Sequence, residues 1–171
     1  MPSLTVELPP GRIEIELADR QAPATCAYFS RLASSGAFRA GRVFRIVDGG
    51  QQAEASACPI QVVQFGRREM LDAPRDSVEH ESTDRTGLCH ERWTVSAARF
   101  EPGELYGSFF VCLRDEPELD YRGRRNPDGL GFAAFGRVVS GYDIVRTLQR
   151  RSEKQEFLSQ PIDIQDITAI P

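Results

Sequence analysis

Residues 11–38 read GRIEIELADRQAPATCAYFSRLASSGAF, and the change of period inside this stretch decides the fold. Ile13, Ile15 and Leu17 alternate with Arg12, Glu14 and Glu16, the two-residue period of a strand with one face in a core. From Pro23 the period lengthens. Cys26, Phe29, Leu32 and Ala33 fall on one side of a helix, with Pro23 suited to its first turn and Gly36 to its stop, so the spacing predicts a helix over 23–35. Upstream, Leu4, Val6 and Leu8 alternate in the same way and Pro9-Pro10-Gly11 turns the chain. The two runs make a β-hairpin with a wide loop.

Downstream the chain is mostly strand. Residues 43–47, 60–65, 94–98, 109–113, 133–139 and 162–170 are rich in Val, Ile, Phe and other β formers. Residues 48–52 read as a flexible connector, 66–92 as an irregular polar stretch turning at Gly87, and 115–131 as a long loop rich in Arg, Pro and Gly. A second helix fits 141–150, where Ile144, Val145 and Leu148 share a face. Roughly eight strands and two helices, without strand–helix alternation, argue against a parallel α/β sheet. They predict a mainly β fold: a closed eight-stranded antiparallel barrel, which leaves no exposed edge, capped by two α-helices. No repeat or linker divides the chain, so residues 1–171 are expected to form one domain.

Composition narrows the class further. The chain has 171 residues, 40% hydrophobic and 27% charged, enough to bury roughly 70% of its unfolded surface. Its net charge of −4, from 21 basic and 25 acidic residues, offers no field for nucleic acid or an anionic membrane. The basic pairs and clusters at Arg67-Arg68, Arg122 to Arg125 and Arg150-Arg151 read as solvated surface. No apolar run approaches the ~20 residues of a membrane span. Met1-Pro2-Ser3 leads straight into the first alternation, so no signal peptide is expected. Cys26, Cys58, Cys89 and Cys112 lack the CxxC spacing of a zinc or redox site, which fits reduced thiols in a cytoplasmic protein. A monomer is expected.

Several constellations read as structural. His80-Glu81 and His90-Glu91 sit ten residues apart with no third donor, so no metal site is expected. Cys89 and His90 are adjacent, and adjacent side chains diverge in extended chain. Gly103, Gly107 and Ser108 lack the Lys-Ser/Thr of a phosphate loop. Asp115, Glu116, Glu118 and Asp120 lack the ligand spacing of a calcium loop and read as a solvated acidic loop.

Arg45 stands apart because it lies inside the apolar run VFRIV. Phe44 and Ile46 point one way; Val43, Arg45 and Val47 point the other. With Phe44 and Ile46 in the core, Arg45 projects from the barrel among apolar neighbours. Such a guanidinium either snorkels across the surface to a carboxylate or waits in a groove for a substrate amide.

The ordered set GRIEIELADRQAPATCAYFSRLASSGAF, VFRIV, IQVVQFG, HESTDRTGLCHERWTVSAAR, GSFFVCL with PELD, and GFAAFGRVVSGYDIV resembles the cyclophilin family of peptidyl-prolyl cis-trans isomerases, in particular its bacterial members. The likeness runs from Gly11 to about Ile167. It implies the barrel inferred above and an isomerase that turns X-Pro bonds with neither cofactor nor metal. Its partners would be proline-containing peptides or unfolded protein clients.

By that resemblance Arg45 is the catalytic arginine and Gln64 the glutamine that fixes the peptide. Phe110 is the floor of the proline pocket and Leu119 an apolar wall. Ala98 lies on the peptide-facing strand, followed by Arg99 and Phe100. Val62 stands for a usual methionine and Gln61 for a pocket aromatic. Ser108 replaces a glutamine, Phe132 a histidine, Glu118 a tryptophan, Phe44 a histidine and Trp93 a glycine. Glu118 implies weak cyclosporin binding. Because Gln61, Ser108 and Glu118 make the groove wall smaller or more polar, the resemblance also admits a module that docks proline peptides and turns them over poorly.

Overall fold

The opening hairpin forms as β1 (Ser3–Leu8) and β2 (Gly11–Leu17), followed by α1 (Pro23–Ser34). The computed structural model describes residues 1–51, 58–67 and 74–171. Gln52 of the 48–52 connector and Arg68 of the first basic pair lie outside the described residues. Along the chain follow β3 (Arg42–Val47), β4 (Val62–Gly66), β5 (Asp76–Ser77), α2 (Thr83–Thr86), β6 (Thr94–Arg99) and β7 (Glu104–Cys112). A 3₁₀ turn (Pro117–Leu119), β8 (Ala134–Ser140), α3 (Tyr142–Gln149), β9 (Phe157–Asp163) and β10 (Asp166–Ile170) complete the order.

All pairings are antiparallel, and the sheet runs β10-β1-β2-β8-β6-β7-β4-β3-β9. Its two outer strands are consecutive in sequence. β9 pairs with β3, β10 pairs with β1, and only Ile164 and Gln165 lie between them. At that bend the Ile164 N–H donates to the Gly41 carbonyl at 2.7 Å and the Gln165 N–H to Glu7 at 2.9 Å. The sheet therefore curls until one bent segment spans both edges, which leaves little backbone open to strand addition. The strand count differs from the expected eight for two reasons. The predicted 162–170 strand begins at Phe157 and is cut by the bend, and the two-residue β5 pairs only with β7. The helix count differs because the short α2 lies inside the predicted irregular stretch.

Sequence alternation sorts the side chains. Inside the barrel, Phe29, Phe38, Phe65, Phe109 and Phe135 are fully buried. Phe29 stacks on Phe135 with ring centroids 4.5 Å apart, and Phe65 on Phe109 at 5.0 Å. α1 packs against β8 and β10, and α3 against β2 and β4. α1 has no capping side chain of its own, since Ala22 stands at its N-cap. The buried Glu81 supplies the cap from 57 residues away, accepting from the Ala24 and Thr25 N–H groups at 2.9 Å each and from the Thr25 hydroxyl at 2.6 Å. A carboxylate on free N–H groups at the positive end of a helix is favourable. That is the use of the His80-Glu81 dipeptide, whose His80 Nε2 lies 3.0 Å from the Leu130 carbonyl.

β3 departs from simple alternation. Its register shifts between Val43 and Arg45, so Val43 joins Ile46 in the interior while Val47 packs on the outer face. Phe44 is buried outside the interior cluster, 6.1 Å from the Phe157 ring, rather than facing the core with Ile46. A bulge adds a residue to one strand and reverses the phase beyond it. Arg45 still projects outward, but Val43 does not share its face.

Candidate active site

A second apolar cluster lies on the outer face of the sheet. It comprises Val47, Ile60, Val62, Ala98, Tyr106, Phe110, Cys112 and Leu119, with Phe100 and Phe132 packed against it. Val47, Val62, Ala98, Tyr106, Phe110 and Cys112 alternate along their strands with residues that fill the interior, while Leu119 comes from the 3₁₀ turn and Ile60 from just before β4. Above this layer opens a cleft of about 180 Å³ lined by Arg45, Ile60, Val62, Gln64, Ala98, Arg99, Tyr106, Phe110, Leu119, Arg125, Asn126 and Phe132. Of the positions expected from the sequence, Arg45, Val62, Gln64, Ala98, Arg99, Phe110, Leu119 and Phe132 come together here.

Three expected positions do not line it. The Gln61 main chain is tied outward, its N–H to Glu116 at 2.8 Å and its carbonyl to Leu113. Phe100 lies beside the cleft, against Tyr106 at 4.6 Å and beneath the Arg75 guanidinium at 4.2 Å. Ser108 is fully buried behind Gln64. Its serine in place of a longer side chain leaves an oxygen that accepts from Gln64 Nε2 at 3.0 Å while donating to the Phe65 carbonyl at 2.7 Å.

The polar wall is one connected network. Arg45 donates from Nε and Nη2 to Glu156 Oε2 at 2.9 and 2.6 Å, and from Nη1 to Gln64 Oε1 at 3.2 Å. Gln64 Nε2 in turn donates to the Tyr106 hydroxyl and to Ser108, each at 3.0 Å. Both hydrogens of that amide bond within the protein in this structure, and its oxygen holds Arg45. Burial pushes the Tyr106 phenol up, so it stays neutral. Arg45 pairs with a carboxylate and also lines the groove.

Beneath the apolar floor a further layer fixes the rings. Phe132 meets Phe110 edge-on at 5.6 Å, and the Arg99 guanidinium lies 5.1 Å from the Phe132 ring. Phe110 stacks on His90 at 6.2 Å. The His90 ring is buried, with Nδ1 2.6 Å from Asp120 and Nε2 2.8 Å from the Ser96 hydroxyl. The geometry resembles a nucleophile–base–acid relay, but Ser96 is wholly buried. No substrate can reach its hydroxyl, and the three residues brace the floor.

The 121–131 loop closes one end. Arg99 donates to Asp128 at 2.9 Å and to the Gly131 carbonyl at 2.9 Å, and the Phe132 N–H donates to Leu119 at 3.0 Å. Gly131 has φ +65°, and a Cβ there would stand 2.6 Å from the Leu119 carbonyl oxygen, so only glycine delivers Phe132 to this position. Glu118 accepts from Arg124 Nε at 2.8 Å and from its N–H at 2.9 Å, bonds that hold its carboxyl below the usual carboxylate range. The acidic run is solvated only in part, with Asp115 exposed and Glu116 buried, and each carboxylate has a partner. Asp115 accepts from the Arg92 N–H, Glu116 from Arg114, Glu118 from Arg124, and Asp120 meets His90. Arg125, expected on solvated surface with its neighbours, instead turns into the cleft wall.

Sequence reasoning missed Ile60, Tyr106, Arg125 and Asn126 on the lining and Glu156 behind Arg45. Ile60 and Tyr106 had a usable signal, since they fall in phase with Val62 and with Ser108 and Phe110 on their strands. Glu156 had none, because it reaches Arg45 from 111 residues away.

The site is thus an open apolar notch on the outer face of a curled antiparallel sheet, with the Arg45 guanidinium oriented at its edge. The model of the family "Cyclophilin type peptidyl-prolyl cis-trans isomerase/CLD" matches residues 3–169, and the chain belongs to that family. It is 30% identical over 148 residues to peptidyl-prolyl cis-trans isomerase cyp18 of Streptomyces antibioticus, covering 85% of this chain and 82% of that one. It is 24% identical over 158 residues to peptidyl-prolyl cis-trans isomerase B of Escherichia coli K12, covering 92% and 90%. A cyclophilin-type isomerase of Cryptosporidium parvum, crystallised in the presence of the dipeptide Ala-Pro, superposes with a TM-score of 0.77 at 20% identity, over 99% of each chain. Among the described residues, no helix is long and apolar enough to cross a membrane.

Proposed function

We propose that this protein accelerates cis–trans rotation about X-Pro bonds in peptides and unfolded protein clients, and that Arg45 carries the chemistry. An X-Pro bond favours trans by only ~0.5–1 kcal/mol, but its rotation barrier is ~18–20 kcal/mol. The barrier comes from delocalisation of the nitrogen lone pair into the carbonyl. Lowering it takes no bond-making. It takes a pocket that holds the pyrrolidine ring while the acyl side turns, and a donor that binds the twisted, pyramidal nitrogen more strongly than the planar one.

Phe110, Leu119, Val62 and Phe132 supply the pocket, and Arg45 the donor. Three of the five guanidinium N–H groups are occupied, one on Nε, one on Nη2 and one on Nη1, leaving one on each terminal nitrogen. A rate factor of ~10⁴ requires ~5.5 kcal/mol of differential stabilisation. A charge-assisted hydrogen bond in a half-dry cleft, with desolvation of the ring, is of that order.

The observation that carries this reading is the oriented Arg45 guanidinium at the edge of an apolar cleft. Arg45→Ala is expected to lower the exchange rate of an Ala-Pro peptide, measured by NMR exchange spectroscopy, by at least a hundredfold. The melting temperature should stay within a few degrees. Full activity in the variant would sink the assignment of Arg45. A folded wild type that binds the peptide without exchange cross-peaks would make the chain a docking module instead.

A further inference from the structure

We infer that Glu156 is a positioning residue for the isomerisation: its carboxylate sets the direction of the Arg45 guanidinium and so decides which N–H groups face the peptide. The inference rests on the reading of Arg45 given above and names a second residue that the reaction needs.

The carboxylate is aimed by the backbone. The Glu156 carbonyl accepts from the Ile46 N–H at 2.9 Å, and Arg45 pairs with Phe157 across the β3–β9 ladder. Glu156 thus enters the sheet opposite the strand that carries Arg45. The preceding turn is fastened to the β3 end by Gln51, whose Nε2 donates to the Glu153 carbonyl at 2.6 Å and the Ile46 carbonyl at 3.2 Å. Ser152 adds a bond to Asp48 at 3.3 Å, and the Glu153 side chain accepts from the Ser159 N–H at 3.0 Å. These bonds brace the main chain that carries Glu156, so its carboxylate is presented to Arg45 from a fixed turn opposite β3.

The geometry of the pair matters as much as its presence. Glu156 Oε2 takes Nε and Nη2, one lateral edge of the guanidinium, and Gln64 takes one hydrogen of Nη1. With two edges held, the planar group can neither rotate about its long axis nor swing along the groove. A flexible arginine would have to lose that freedom in each transition state. Here it is lost on folding, so the orientation is ready before the peptide arrives. The ring of Phe157, 5.6 Å from the Arg45 Cζ and half exposed, covers the same guanidinium from another side. Both side chains of the ion pair are 22% exposed, and pairs at this depth act more through geometry than through net stability.

The inference separates geometry from charge. Glu156→Gln keeps an oxygen that accepts Nε and Nη2, while Glu156→Ala removes the acceptor. Exchange of an Ala-Pro peptide should fall about tenfold in kcat for the Ala variant, with KM within about twofold. The Gln variant should keep kcat within about threefold of wild type. The Arg45 Nε–H resonance, held by Glu156 in the wild type, should broaden or vanish in the Ala variant and persist in the Gln variant. Wild-type kcat in Glu156→Ala, or a loss in Glu156→Gln as large as in Glu156→Ala, would overturn the inference. Arg45→Ala is run beside them: if it too keeps full activity, the reading of Arg45 has failed; if it loses activity while Glu156→Ala does not, only the role of Glu156 has.

Discussion

Strands β4, β6 and β7 each carry two faces, built on different rules. The inner face presents Val63, Phe65, Val95, Ala97, Phe109 and Val111, all apolar and all but closed to solvent. The outer face presents Val62, Gln64, Ser96, Ala98, Ser108 and Phe110, where rings and polar groups alternate within a few ångströms. Shape alone holds the interior, since dispersion and desolvation have no direction. The groove is held by directed bonds, each polar group fixed by another behind it. A fault inside should therefore appear first as lost stability, and a fault outside as lost function with the fold intact.

The strongest test of this contrast is Phe109→Ala. The ring touches Phe29, Phe38, Phe65 and Phe135, and no water reaches it. Phe→Ala in a tight core costs about 3–5 kcal/mol, and each kcal/mol shifts the midpoint of a chain this size by about 2–4 °C. A fall of about 10 °C or more by calorimetry is expected, with kcat/KM unchanged on the molecules that remain folded. A smaller drop in midpoint with a large loss of activity would erase the distinction between the two faces.

One residue further on, Phe110→Leu is the sharper probe. The substitution keeps the floor apolar, so the midpoint should move by only a few degrees. It also removes the flat ring on which a pyrrolidine would rest and breaks the edge-on contact with Phe132. Contacts of this size in an apolar pocket are worth about 1–3 kcal/mol, so KM for an Ala-Pro peptide should rise roughly tenfold. Unchanged KM by exchange spectroscopy would show that the ring seat lies elsewhere.

The same division explains what the sequence revealed. The interior follows from alternation, and the strands, both main helices and the outward side of Arg45 were legible for that reason. The bulge in β3 was not, because the extra residue between Val43 and Arg45 leaves no mark on composition. The apolar groove floor was legible through the family motifs. Its polar support from Glu156 was hidden by distance, since it lies 111 residues from Arg45. Trp93 illustrates the backbone side of the problem. It stands where glycine is usual, and its φ of +75° is why. The strain of a left-handed tryptophan, about 1–2 kcal/mol, is offset by packing: its ring meets Tyr142 at 4.9 Å and the Arg92 guanidinium at 4.7 Å.

The smallest expected effect concerns the loop that ends the groove. Burial opposes the charge of Asp128, but the Arg99 side-chain bond and the Leu130 N–H outweigh it, so the carboxyl sits below its usual range. A carboxyl whose folded pKa is depressed stabilises the fold above its unfolded value of ~3.9, and that contribution is lost as pH falls through the lower folded value. The Leu130 amide and the Arg99 side-chain resonances should therefore hold their positions on acidification past ~3.9 and move only below it. The melting temperature should change little, because the pair fastens one loop and not the core. In Asp128→Asn that step should vanish at Leu130 while the Phe109 and Phe135 resonances stay in place. A Leu130 titration at or above ~3.9 would mean that the Arg99–Asp128 bond is not what holds the loop, and that the groove end is fixed by its other bonds, the Leu119–Phe132 bond and the Glu118–Arg124 pair among them.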